Sequence, residues 1–259
     1  MAIRTTAILN LKGGVAKTTT AINMAAILAK HYGKRVLLID ADSQCNTTEF
    51  FGGKKEFANM ATILRDAALF RENEGLLFAI QPTQFHNIDL ISGDESLMDM
   101  DLSAASQGTA DVSILREIID KIRMAYDYVL IDCPPAFNAA STAALVAADD
   151  VVIPIKLDAF SLRGMSNLLR QVQNMKAINP RLRVAGILPT MWYRDDQIKE
   201  AEQQLRAAGL PVFHHIRRSD KVDRMTFRQE ALLISSPNSA AGVDYRTFVA
   251  EYVGGAHHE

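Results

Sequence analysis

Thr5-Thr6-Ala7-Ile8-Leu9-Asn10-Leu11-Lys12-Gly13-Gly14-Val15-Ala16-Lys17-Thr18-Thr19-Thr20 is the stretch from which the rest of the chain can be read. Residues 5 to 10 form a short apolar run that reads as a buried strand, and Lys12-Gly13-Gly14 reads as the turn after it. Thr18 to Tyr32 then read as a helix, with Ile22, Ala25, Ala26 and Ala29 on one face and Gly33 as its stop. A loop passing from strand into helix turns its backbone N–H groups and the positive end of the helix dipole toward one point, which suits a phosphate. In that loop Lys17 is placed to reach β- and γ-phosphates and Thr18 to ligate Mg2+, so ATP and Mg2+ are the expected ligands of residues 12 to 19. The strict GxxxxGK[ST] spacing is broken twice, because Leu11 and Ala16 stand at its glycine positions. The plain alternative is a Gly-Gly turn before a helix with an incidental Lys-Thr.

The flanking sequence supports the phosphate reading. Val36 to Ile39 and Tyr128 to Ile131 are continuous apolar runs, each followed by an aspartate, Asp40 and Asp132, while Val151 to Ile155 and Val184 to Leu188 are two more such runs. Apolar runs without alternation mark strands covered on both faces, and hence a parallel sheet. Helical patterns lie between them, at about 111 to 125, 138 to 148, 161 to 177 and 195 to 208. The expected fold is α/β, a single domain over 1–259 with a mostly parallel twisted sheet and helices on both faces, its tail 254–259 disordered. In such sheets ligands gather at the carboxyl ends of the strands, where Lys12, Asp40 and Asp132 would all lie. As alternatives, Asp40 and Asp132 cap the following loops and Lys12 is a solvated turn lysine.

Bulk composition narrows the class further. Two cysteines, Cys45 and Cys133, are too few for a disulfide framework and lack metal-ligand spacing, which points to a reducing cytoplasm. No stretch reaches the about 18 apolar residues of a membrane span, and the N-terminus has no signal-peptide core. The histidines His31, His86, His214 and His215 show no metal spacing and read as surface or packing residues, and His257 and His258 belong to the tail. Net charge is −2, yet residues 163 to 228 hold 13 Lys/Arg against 6 Asp/Glu, leaving 15 against 24 elsewhere. That imbalance allows a basic face, or merely ordinary solvated helix surfaces.

The segment Lys12-Gly13-Gly14-Val15-Ala16-Lys17-Thr18 resembles the deviant Walker A motif KGGxxK[ST] of the ParA/MinD ATPases. Leu38-Ile39-Asp40-Ala41-Asp42-Ser43-Gln44 is similar to that family's segment after the second strand, and Val129-Leu130-Ile131-Asp132-Cys133-Pro134-Pro135 to its Walker B segment. Pro154 through Phe160-Ser161-Leu162-Arg163-Gly164 and Ile216-Arg217-Arg218-Ser219 resemble later segments, the last of them base-binding, so the likeness runs from residue 5 to about 225. Three positions depart from the pattern: Ala16 for Gly, Ser43 for Pro, and Arg217 for Pro. The Lys-Gly-Gly form implies that the loop closes without a positive φ at Ala16.

The resemblance implies an ATPase that dimerises with ATP. Lys12 would act in trans on the partner's nucleotide, Lys17 in cis, and Asp42 would orient the attacking water. Thr18, Asp40 and Asp132 would serve Mg2+, and Arg217, Arg218 and Ser219 would hold the base. It implies a homodimer that binds DNA non-specifically in its ATP state, with Arg194, Arg217, Arg218, Lys221, Arg224 and Arg228 as candidate DNA contacts. Partition of plasmid or chromosomal DNA is then the leading function, with a centromere-binding ParB-like protein as partner, in a cytoplasmic chain associated with the nucleoid. No helix-turn-helix extension precedes residue 5, as in short partition ATPases. Residues 244 to 255 carry one Arg and two acids, a poor membrane anchor, so no membrane partner is expected. The alternatives are a MinD-like membrane or cargo-positioning ATPase, a P-loop metabolic ligase of the dethiobiotin synthetase type, and an iron–sulfur cluster shared between Cys45 and Cys133 of two subunits.

Overall fold

In the computed structural model, which describes residues 3–54, 56–100 and 107–255, the apolar runs become the centre of a sheet. The strands in chain order are β1 (Arg4–Ile8), β2 (Val36–Asp40), β3 (Gln81–Pro82), β4 (Ile88–Ile91), β5 (Tyr128–Asp132), β6 (Asp150–Lys156) and β7 (Arg183–Thr190). Among the described residues they form one seven-stranded sheet, ordered β3-β4-β2-β5-β1-β6-β7. Every pairing is parallel except that of the edge strand β3 with β4.

Alternate residues of each central strand enter opposite cores, which is why these strands are apolar without interruption. Leu37 and Ile39 of β2 join Val129 and Ile131 of β5 under helices Met60–Arg65, Ile114–Ile122 and Ala139–Ala147. Val36 and Leu38 join Leu130 under helices Lys17–Lys30 and Ala240–Gly255, whose Ile22, Ile27, Tyr245 and Phe248 are all at most 2% exposed. Each fully buried side chain of this size contributes about 1.5–3 kcal/mol relative to exposure, so a one-residue slip of β2 or β5 is prohibited.

The observed helices match the expected ones within a few residues, at Ile114–Ile122, Ala139–Ala147, Ala159–Met175 and Asp196–Ala207. Strands β3 and β4 go beyond what the sequence pattern predicts. They have two and four residues, too short for periodicity to register, and β4 is recognisable only because it pairs with β2. The last helix runs to Gly255, so Gly254 and Gly255 close a helix where the sequence predicts a disordered tail, and residues 256–259, with His257 and His258, lie outside the described residues. No helix among the described residues is long and apolar enough to cross a membrane.

Candidate nucleotide site

The register lays the site out along one edge of the sheet. Ile8, Asp40 and Asp132 are neighbours in adjacent strands, so the loops leaving β1, β2 and β5 depart side by side. Above them opens a cleft of about 1100 Å3, walled by Gly13, Gly14, Ala16, Lys17, Thr18 and Thr19 from the first loop. Asp42, Gln44 and Asn46 form a second wall, and Ile216, Arg217, Arg218 and Ser219 close the far end. Val15 is buried outside the cleft, its carbonyl accepting from the Thr190 hydroxyl at 3.1 Å.

The phosphate loop is held in a left-handed conformation. Gly14 and Ala16 both have φ of 69°, so Ala16 does adopt the positive φ that the Lys-Gly-Gly form implied it would avoid. Two more non-glycine residues beside the cleft, Cys45 (φ 53°) and Met191 (φ 52°), share this conformation. Such strain of about 1–2 kcal/mol per residue collects at sites that demand one backbone path. The side chain of Asn10 anchors the loop, donating to the Pro154 carbonyl at 2.7 Å and accepting from Lys12 N–H at 3.0 Å. Asn10 and Thr190 are supports that no motif reveals.

Lys17 is 7% exposed and its ammonium donates to the Lys12 carbonyl at 3.3 Å. Burial pulls its pKa below the ordinary lysine value, against the attraction of Asp132 and Asp42. A half-desolvated ammonium of this kind is ready for an anion. Lys12 stands apart. Its ammonium grips both carboxylate oxygens of Asp158, at 2.9 and 2.8 Å, and the Ser161 hydroxyl at 2.9 Å. Burial pushes the Asp158 carboxyl up, but the Lys12 bond and the Ser161 donors outweigh it and hold the group at about 2.

The acidic residues divide the work differently from expectation. Asp40 is fully buried and spends its carboxylate on its own loop: Oδ1 accepts from Asp42 N–H at 3.1 Å, and Oδ2 from Thr48 N–H and hydroxyl at 2.8 and 2.7 Å. With three acceptor positions taken by the chain, Asp40 organises the turn. At Asp132, Oδ2 accepts from the Thr47 hydroxyl at 2.7 Å while Oδ1 is buried without a hydrogen-bond partner. Burial raises the pKa of both carboxyls; for Asp40 the neighbouring Asp132 adds to the rise, and for Asp132 the Thr47 and Thr18 hydroxyls oppose it. An orphaned buried oxygen beside the phosphate loop is costly unless a cation or donor fills the gap. Mg2+ therefore fits best at Thr18 and at Asp132, whose unpartnered oxygen it would satisfy. Asp42 is 7% exposed, accepts from Gln44 N–H at 3.0 Å, and lines the cleft.

At the far end, Arg217 is committed elsewhere. Its guanidinium forms a fork on Asp244 of the last helix, at 2.8 and 2.7 Å, and its N–H adds a bond of 2.9 Å to the same carboxylate. Arg217 thus ties the base-end segment to the last helix while its side chain stays 44% exposed. The segment is also bridged to the end of β7 by Trp192 N–H to the Ile216 carbonyl and Arg218 N–H to the Trp192 carbonyl, at 2.9 and 2.8 Å. Trp192 stacks flat on His215 at 4.0 Å, which gives that histidine a packing role. Ser219 caps helix Asp220–Arg228, accepting from Lys221 N–H. Arg194, Arg218, Arg224 and Arg228 are exposed and Lys221 half-exposed. Cys133 is fully buried and burial raises both thiols, Cys45 to about 12.

A family model described as an AAA domain matches residues 3–184. The chromosome partitioning protein ParA of Caulobacter vibrioides is 36% identical over 203 residues, covering 76% of this chain and 73% of that protein. The chromosome-partitioning ATPase Soj of Thermus thermophilus is 39% identical over 207 residues, covering 79% and 76%. The chain belongs to the ParA/MinD family of ATPases. Among solved structures, an ATP complex of a McdA variant from Cyanothece superposes with a TM-score of 0.82 at 23% identity over 97% of this chain and 96% of that one, which speaks for the fold. Cobyrinic acid a,c-diamide synthase from Mycobacterium smegmatis with bound ADP and magnesium gives 0.77 at 27% identity over 96% and 93%. As a ParA/MinD ATPase, the chain takes ATP and water to ADP and phosphate, and the cleft above β1, β2 and β5 is the candidate site for its nucleotide.

Proposed function

We propose that this ATPase partitions DNA as a nucleotide-gated homodimer that binds DNA non-specifically in its ATP state and releases it after hydrolysis stimulated by a ParB-like, centromere-bound partner. The observation that carries the reading is helix Asp220–Arg228. Its Asp220, Asp223 and Thr226 line the nucleotide cleft, while Lys221, Arg224 and Arg228 fall within about 60° of one another on another side. One helix therefore borders the cleft and carries a row of cations. The row is partly neutralised, because Asp220 pairs with Arg224 at 3.2 Å and lies 3.5 Å from the Lys221 ammonium. Exposed pairs of this type contribute only about 0–1 kcal/mol, so a DNA phosphate can displace them.

Hydrolysis follows from the same geometry. Lys17 and the N–H groups of the phosphate loop take the β/γ-phosphates, and Thr18 and Asp132 would hold Mg2+, which when bound would supply charge neutralisation for the transferred phosphoryl group. Asp42, on the loop that Asp40 organises, orients the attacking water. Lys12 is released from Asp158 to reach the partner's nucleotide. In the last helix, Tyr245, Phe248, Val249 and Tyr252 are spent on the core, so among the described residues that helix offers no apolar stripe to a membrane.

The test is a gel-shift titration on random-sequence duplex with ATP, ADP or no nucleotide. Binding should require ATP, fall steeply with salt because each neutralised phosphate releases counterions, and weaken in Arg194→Glu and Lys221→Glu while dimerisation persists. Absence of ATP-dependent binding at low salt, or indifference to both reversals, would assign the protein another cargo.

A further inference from the structure

The two strand-end aspartates are held by consecutive hydroxyls. Thr47 donates to Asp132 Oδ2 at 2.7 Å and Thr48 to Asp40 Oδ2 at 2.7 Å, so the short helix Asn46–Phe50 clasps β5 with one residue and β2 with the next. Thr48 is itself braced from behind. Its hydroxyl oxygen accepts from Gly93 N–H at 2.8 Å, just beyond β4, a strand too short to register in the sequence pattern. Gly93 sits in a tight space: a Cβ there would lie 3.0 Å from the Asp42 carbonyl oxygen and 3.1 Å from Asp40 Cγ, so that those groups would have to give by a few tenths of an ångström. Through Asp40, whose other oxygen accepts from Asp42 N–H, this chain of contacts ends on the backbone of the water-orienting residue.

We infer that Thr47 and Thr48 are positioning residues with separate duties: Thr48, backed by Gly93, sets Asp42 for hydrolysis, and Thr47 turns the unpartnered oxygen of Asp132 toward Mg2+. The physical reason for the division is that each hydroxyl has a different carboxylate. Thr48 has no contact with Asp132 that could substitute for Thr47, and Thr47 none with Asp40. The inference rests on the Mg2+ and Asp42 roles proposed above.

The variants to compare are Thr47→Val, Thr48→Val, Thr48→Ser and Gly93→Ala, with thermal denaturation to establish that each is folded. Thr48→Val should lower kcat about tenfold with KM for ATP within about twofold, and Thr48→Ser should restore it. Gly93→Ala keeps both hydroxyls but crowds Asp42, and should reproduce the kcat loss. Thr47→Val should instead raise about tenfold the Mg2+ concentration needed for half-maximal binding of a fluorescent non-hydrolysable ATP analogue, a readout independent of turnover. If Thr47→Val and Thr48→Val shift the same quantity, or if Gly93→Ala retains full kcat, the division of duties is overturned. If wild type shows no Mg2+ dependence of analogue binding, it is the Mg2+ assignment beneath it that fails.

Discussion

Ala16 shows how a single residue can depart from a motif and still obey its geometry. The phosphate loop needs a left-handed residue there, and alanine accepts that conformation at a cost of about 1–2 kcal/mol, whereas glycine would lose about 0.5–1 kcal/mol of chain entropy on folding. Ala16→Gly is therefore expected to be as stable as wild type or up to about 1 kcal/mol more so, with ATP affinity retained. Ala16→Val, β-branched in the same conformation, should melt earlier and bind ATP more weakly. A lower melting temperature for the glycine variant would contradict the strain. The loop's identity was legible from Gly13, Gly14, Lys17 and Thr18, but its φ at residue 16 was not, because a dihedral is imposed by what lies on both sides of the loop.

At the scale of elements, β2 and β5 bring two carboxyls together at their ends. Burial, and for Asp40 also the adjacent Asp132, raises their native pKa values above the ordinary carboxylate range near about 4. A carboxyl with a raised native pKa holds its proton more tightly folded than unfolded. Its contribution to stability is thus complete below the unfolded pKa and lost as pH rises through the native one. The nucleotide-free protein should melt at lower temperature as pH rises from about 5 to about 8, and Asp132→Asn, which keeps an acceptor for Thr47 and fills the orphan position with a neutral amide, should flatten that slope. An unchanged slope in Asp132→Asn would show that the pair does not govern it. The aspartates themselves were readable as strand endings. Their different employment was not, since it depends on Thr47 and Thr48 of the short helix Asn46–Phe50 and on Gly93 beyond β4, which approach from two elements remote from the strand ends.

At the scale of the whole molecule, the resting place of Lys12 bears on the proposed dimer. In the single chain its ammonium is held by Asp158, in a pair whose side chains are 40% and 28% exposed, so the hold is worth only about 0–1 kcal/mol and a partner's nucleotide can compete for it. Lys12→Ala should bind ATP as a monomer nearly normally yet fail to dimerise. Asp158→Asn should free Lys12 and move ATP-dependent dimerisation to about two- to fivefold lower protein concentration by sedimentation velocity. Dimerisation of Lys12→Ala at wild-type concentrations would remove the case for action in trans.

The order of strand, glycine loop, helix and acidic strand ends determined by itself the parallel α/β sheet and where the candidate phosphate loop lies in it, because local backbone geometry and uninterrupted apolar runs are properties of neighbouring residues. Tertiary structure alone decided which partners the candidates hold. Asp40 turned inward because Thr48 and Asp42 supply donors to it, and Arg217 was claimed by Asp244, twenty-seven positions along the chain. Both outcomes come from contacts between segments distant in sequence, where a carboxylate or guanidinium takes whichever partner the packing of the sheet and its flanking helices brings within hydrogen-bond reach.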